Sequence, residues 1–202
     1  MTTIHLVRHG QTDWNLERRI QGQTESMLTP LGEQQAREIA EQLKDEKLDR
    51  AFSSSSQRPR DTANFILEHH DLELETRDEL REIFLGPWEG QLYSEIADAH
   101  PESHDHFWQD PSRFALEGAE TFHDLQKRAL AVFNNIAEEN EGKTILIVSH
   151  GAFIKALLSH YEGRHLRDFW LPPKMTNCCH SIIERSPAGD FVICQYAGLT
   201  SW

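Results

Sequence analysis

The chain has 202 residues, 38% of them hydrophobic, which suffices for one well-buried core and is short for two domains. Its 33 acidic against 20 basic residues leave a net charge of −13, which argues against nucleic acid or an anionic membrane as partner and requires any anionic ligand to meet a local basic cluster. No basic, then apolar leader opens the sequence and no apolar run is long enough to span a bilayer, so a cytoplasmic protein is expected, with Cys178, Cys179 and Cys194 as free thiols lacking a zinc-site spacing.

Ile4 to Val7 reads as the first strand. Thr29 before Pro30 is a helix start, and Ala36, Ile39, Ala40 and Leu43 give that helix one apolar face. Ala51-Phe52 reads as a short buried strand, followed by a helix expected to turn Ala63, Phe65, Ile66 and Leu67 toward the core. Thr121 to Glu139 is a third helix, Thr144 to Val148 the clearest strand, and Ala152 to Leu158 the helix after it. Ile182-Ile183 and Phe191 to Cys194 suggest a terminal hairpin around Ala188-Gly189-Asp190. The alternation predicts an α/β fold, a three-layer α/β/α sandwich on a mostly parallel sheet, with residues 1–202 as one domain.

Two strands end alike: Leu6-Val7-Arg8-His9-Gly10 and Ile147-Val148-Ser149-His150-Gly151. Ligands collect outside the carboxyl ends of strands in open α/β sheets, so two His-Gly pairs at such ends are expected to face one pocket. Glycine after each histidine is expected to let a ligand approach the backbone.

Arg8-His9-Gly10-Gln11-Thr12 with Trp14-Asn15 resembles the signature of the histidine phosphatase superfamily, in the branch that also holds the cofactor-dependent phosphoglycerate mutases. Further blocks follow in the same order: Arg19-Ile20-Gln21-Gly22, Leu28 to Ala36, Ser53-Ser54 to Arg58 with Thr62-Ala63, Leu80-Arg81-Glu82, Trp88-Glu89-Gly90, Gly118-Ala119-Glu120-Thr121 and Val148 to Gly151. The resemblance runs from residue 4 to about residue 160. It implies a phosphoglycerate mutase-like fold and a phosphomonoester phosphatase with a phosphohistidine intermediate. His9 would be the nucleophile, Glu82 the proton donor and then base, and Arg8, Arg58 and His150 the phosphate grip. Asn15, Thr12, Gln21, Gln23 and Gly151 would line the pocket.

The chemistry explains this set. Phosphoryl transfer needs in-line positioning and charge stabilisation, commonly from metal ions. No carboxylate cluster with magnesium spacing is evident, so arginines, a protonated His150 and the His9 imidazole are expected to supply the charge, with no cofactor and no metal. Glu82 serving as acid and base in turn fits one group acting on two half-reactions. Taken singly, Arg58 reads equally as a solvated helix-start residue, Glu82 as one charge among Asp78, Glu79 and Arg81, and Glu120 as a favourable charge at a helix start.

Some positions depart from the family pattern. Glu25 and Met27 stand where aspartate and proline are common, and Pro59 follows Arg58, which suits only a first helical turn. Phe84-Leu85 makes the stretch after Glu82 apolar and is expected to desolvate it. His100, His104 and His106 have metal-like spacing but read as a solvated, histidine-rich connection. Residues 91–118 are expected to cover the pocket mouth with Tyr93, Phe107, Trp108 and Phe114, favouring an apolar leaving group. The expected partner is a small-molecule phosphate ester, a homodimer being allowed. A mutase shares every catalytic residue, but the short chain from Glu82 to His150 and the Arg19-Ile20-Gln21-Gly22 block look like the phosphatases. A phosphate-binding protein with a dead pocket is the non-enzymatic alternative.

Overall fold

A computed structural model describes all of residues 1–202. The elements in chain order are β1 (Thr2–Arg8), α1 (Asp13–Glu17), α2 (Pro30–Leu43), β2 (Arg50–Ser54), α3 (Gln57–Leu67), β3 (Leu74–Arg77), α4 (Tyr93–Ala99), α5 (Pro101–Gln109), α6 (Phe122–Glu139), β4 (Thr144–Ser149), α7 (Gly151–Tyr161), β5 (His180–Arg185) and β6 (Phe191–Gln195).

The six strands form one sheet in the order β3-β2-β4-β1-β5-β6. The pairs β1·β4, β2·β4 and β2·β3 are parallel, whereas β1·β5 and β5·β6 are antiparallel. Side chains alternate across a strand, and both faces of the central strands are apolar. Leu6, Ile145 and Ile147 join one core with Phe133 of α6 and Phe153 of α7. Val7, Leu146 and Val148 point the other way, into a second core with Ile39 of α2 and Ile66 of α3. Two helical layers therefore enclose the sheet, as expected.

Thr29 caps α2 by accepting from the Gly32 N–H at 3.0 Å, with Pro30 at the first helical position. Thr121 caps α6 through a reciprocal pair with Asp124. Arg58 and Pro59 fall in the first turn of α3, so the proline costs no helical hydrogen bond. Phe65 departs from expectation. It is half-buried under the Arg37 guanidinium, 4.4 Å from the ring centre, while Ala63 and Ile66 carry the core contact. Cys178 is half-buried and Cys179 buried before the terminal hairpin; both are free. No helix is long and apolar enough to cross a membrane.

Candidate active site

β1 and β4 are paired through Arg8 and Ser149, and the His9 N–H donates to the Ser149 carbonyl at 3.0 Å. Both His-Gly turns thus leave the sheet side by side, and the rings of His9 and His150 meet edge to face with centroids 5.3 Å apart. β2 lies on the far side of β4 and leads directly into α3, which brings Arg58 to the same place: its Nε donates to His9 Nε2 at 3.3 Å. The Arg58 fork also donates to the Gly22 and Thr24 carbonyls at 2.7 and 2.9 Å, so this buried guanidinium is fully fixed. Burial pulls its pKa down to about 10, against the pull of Glu82 and Glu25, and it stays charged at neutral pH.

His9 Nδ1 lies 2.7 Å from the Gly10 carbonyl. An oxygen acceptor there requires Nδ1–H, which leaves Nε2 with the lone pair. Burial, then the charges of Arg58 and Arg8, hold the His9 pKa well below its ordinary value, so the imidazole is neutral. The surroundings of His150 work against the protonated form that was expected. Burial first, then Arg58, His9, Arg8 and Arg128, push its pKa well below the ordinary value, because no carboxylate offsets the surrounding cations. Its Nε2 lies 2.8 Å from Ser54 Oγ, and its buried Nδ1 has no hydrogen-bond partner.

The two histidines make the fold acid-sensitive. Both native pKa values lie below the unfolded value of about 6.5, so between these limits the unfolded chain binds protons that the native protein does not. Their contribution is complete above pH 6.5 and is lost as pH falls toward the native values. The urea midpoint should therefore drop between pH 7 and pH 5, and drop less with vanadate, whose charge offsets the arginines. A midpoint independent of pH would contradict this arrangement.

A cavity of about 460 Å³ opens over His9, with Arg8, Asn15, Gln21, Arg58, Glu82 and Gly151 in its wall. Glu82 sits at the start of α7: Oε2 accepts from the Ala152 N–H at 3.0 Å, and Oε1 from Phe153 at 3.0 Å and Ile83 at 2.9 Å. The expected desolvation by Phe84-Leu85 holds only in part. Leu85 lines the cavity beside Ile83, but Phe84 is 41% exposed and absent from its wall.

Thr12 and Gln23 do not line the cavity. Thr12 is fully buried, caps α1 and donates to Gln21 Oε1 at 3.1 Å; the Gln23 amide donates to the Glu82 carbonyl at 3.0 Å. Both support cavity residues from behind. His150 also stays out of the wall and reaches it through His9. The glycines serve packing. A Cβ at Gly10 would come 2.4 Å from the Gly32 carbonyl oxygen, and one at Gly151 3.2 Å from Arg8 Nε. They allow α2 and Arg8 to close on the turns.

Several participants escaped sequence reasoning. Arg128 of α6 donates to the carbonyls of Glu79, Arg81 and Glu82 and pairs with Glu120 at 2.8 Å. Glu120 is thus an anchor for the Glu82 loop, and the acidic residue in the first turn of α6 is Asp124. Asn177 Nδ2 lies 3.2 Å from both the His9 carbonyl and Asn15 Oδ1. Lys155, Trp170, Pro173, Lys174 and Met175 complete the wall. Of the lid aromatics, Tyr93, Phe107 and Trp108 face the cavity. Phe114 is instead buried among Trp88, Phe107 and Phe122, behind them. His100 and His104 lie against Trp88 and Trp108, and no three His, Cys, Asp or Glu side chains are grouped to hold a metal ion.

The model of the histidine phosphatase superfamily (branch 1) matches residues 4–195. The structure of YhfR from Bacillus stearothermophilus superimposes with a TM-score of 0.96 at 37% identity, covering 98% of each chain. A protein of Bacillus subtilis (strain 168) named uncharacterized phosphatase PhoE is 33% identical over 184 residues, 91% of this chain and 89% of that one. A metal-independent phosphoserine phosphatase of Arabidopsis thaliana is 35% identical over 160 residues, 78% of this chain and 67% of that one. With a family model spanning nearly the whole sequence and a fold shared from end to end, the chain belongs to the histidine phosphatase superfamily, branch 1.

Proposed function

We propose that this enzyme hydrolyses small phosphate monoesters through a phosphohistidine formed on Nε2 of His9. The observation that carries this reading is a neutral His9 in the cavity wall whose unprotonated Nε2 is met by the Arg58 Nε–H at 3.3 Å, with Arg8 and the Glu82 carboxyl in the same wall. In the first step the His9 Nε2–P bond forms as the P–O bond to the leaving group breaks, and Glu82 gives the leaving oxygen its proton. In the second, water attacks the phosphorus, Glu82 takes the water proton, and phosphate leaves as His9 is restored. Arg8 and Arg58 spread charge over the phosphoryl oxygens, and His150, behind the wall, backs the His9 ring edge to face.

The leaving group meets Tyr93, Phe107, Trp108, Trp170 and Met175, a surface suited to an apolar or aromatic body, which makes residues 91–118 part of the specificity wall. Lys174, exposed at the rim without an ion-pair partner, favours a second reading, a leaving group carrying a carboxylate, as in the phosphoserine named for the Arabidopsis relative. Three free thiols support a reducing compartment, the cytoplasm.

Turnover of a panel containing aryl phosphates, phosphoserine and 3-phosphoglycerate should persist in EDTA and pass through an acid-labile, base-stable phosphoenzyme. Loss of turnover in EDTA that zinc or magnesium restores would overturn the metal-free reading. Mutase products without phosphate release would replace hydrolysis by transfer.

A further inference from the structure

Residues 171–175 enter the cavity wall with no regular structure, and two of them are prolines without an N–H. Four of their five carbonyls accept from cationic side chains. Lys155 Nζ donates to Leu171 and Pro173, both at 2.7 Å; Arg164 donates to Leu171 at 2.7 Å and Pro172 at 2.9 Å; Arg8 donates to Met175. Lys155 is the unusual member. It lies on α7 among Phe153, Ile154, Ala156 and Leu157, is 2% exposed, and forms no ion pair. The Tyr196 ring lies 4.9 Å from its Nζ. An ammonium buried this way costs several kcal/mol unless its donors are used. Packing alone would be served by Met or Leu.

We propose that Lys155 is a positioning residue that fixes the leaving-group wall of the cavity by holding the backbone of residues 171–175. The inference rests on the phosphatase reading for its kinetic consequence, not for its structural one. The same segment ties the phosphate grip to the leaving-group wall, because Arg8 leans on the Met175 carbonyl while Pro173, Lys174 and Met175 face the cavity. A loosened segment should hurt substrates in proportion to how far their leaving group reaches that wall.

The groups facing Lys155 are Arg164 and Glu162 after α7, Cys179 before β5 and the Tyr196 ring after β6. Burial, then Arg164, bring its pKa down to about 8, while Glu162 and Cys179 pull the other way. Above that pH the neutral amine keeps two N–H donors but loses the charge that strengthens both bonds.

The test uses the full chain with Lys155→Met, which replaces a buried charge by a side chain of similar length, and Lys155→Arg, which stays charged at any relevant pH. In Lys155→Met, KM for 1-naphthyl phosphate should rise about tenfold, equivalent to roughly one charge-assisted hydrogen bond, with a smaller rise for ethyl phosphate. Hydrogen exchange should quicken in peptides covering residues 170–179 and stay unchanged in the β1 and β4 peptides. The wild-type KM for 1-naphthyl phosphate should climb above pH 8, and that climb should disappear in Lys155→Arg. Equal losses on both substrates, unchanged exchange in the segment, or a climb that persists in Lys155→Arg would each overturn the assignment. Exchange needs no turnover, so it decides the clamp even if no phosphoenzyme forms, an outcome that would sink the phosphatase reading instead. Should Lys155→Met fail to fold, the pH comparison with Lys155→Arg still decides.

Discussion

His9→Ala should lose turnover by about 10,000-fold or more, the scale seen when a covalent nucleophile is removed. The imidazole is held by the Gly10 carbonyl on one side, and Arg58 approaches its other nitrogen at 3.3 Å. Two other candidates in the wall are poorly suited to take over. The Lys155 amine is committed to two carbonyls, and burial holds the Tyr93 phenol above its ordinary pKa. Rapid quenching with labelled substrate should therefore give a phosphoenzyme in the wild type and none in the variant. The same substitution removes a buried imidazole beside two guanidiniums, so the variant should lose less stability than the wild type between pH 7 and pH 5. Label retained by His9→Ala, with unchanged acid sensitivity, would place both the nucleophile and the titrating group elsewhere.

The catalytic half of this picture was legible because its signals are local. Arg8-His9-Gly10 and Ser149-His150-Gly151 each end a strand with an apolar run before it, and parallel pairing of those strands is what makes two distant motifs adjacent. Arg58 was legible only through the block it shares with the family; Pro59, a departure from that block, is accommodated because both residues fall in the first turn of α3. The wall opposite was not. Residues 170–179 reach the site because β5 runs antiparallel to β1, so the chain entering β5 passes the carboxyl end of β1, where Arg8 and His9 lie. Nothing in their composition announces that, since their contacts use backbone carbonyls that every residue carries. Lys155 was hidden for a related reason: on a helix otherwise buried and apolar, one lysine reads as a solvated edge until the carbonyls it serves are known. The downward shift of the His150 pKa was not legible because sequence shows its expected ligand but not the cations packed around it. Phe65 shows the ordinary limit of periodicity, which places a side chain on a face without saying whether a core or an arginine lies beyond it, and Phe114 that of composition, which puts an aromatic near the pocket mouth without saying whether it faces cavity or core.

Glu82→Gln should separate the two half-reactions. The amide keeps the size of the side chain and its single oxygen can still accept from the Phe153 and Ile83 N–H groups, though its NH2 loses the Ala152 N–H bond, and it cannot donate and recover a proton. Its effect should then depend on how strongly the departing oxygen needs that proton. An alkyl phosphate leaves as a poor alkoxide, and phosphorylation of His9 should slow by on the order of 100-fold or more, the range of positioned proton transfer. p-Nitrophenyl phosphate leaves as a stable anion and should phosphorylate His9 at a rate much closer to wild type. Hydrolysis of the phosphohistidine still lacks its base in both cases, so with the good leaving group the phosphoenzyme should accumulate. Single-turnover quenching reads both steps: the rate at which label appears on the protein and the rate at which it departs. Arg128 offers a control, because it holds the Glu82 loop through three carbonyls without reaching the reacting atoms. Arg128→Gln should slow phosphorylation with the same leaving-group dependence but to a smaller degree, since it displaces the carboxyl without removing its proton. If Glu82→Gln slows both substrates equally, Glu82 only shapes the cavity, and the proton must come from another group, with His150, whose ring meets that of His9, next in line.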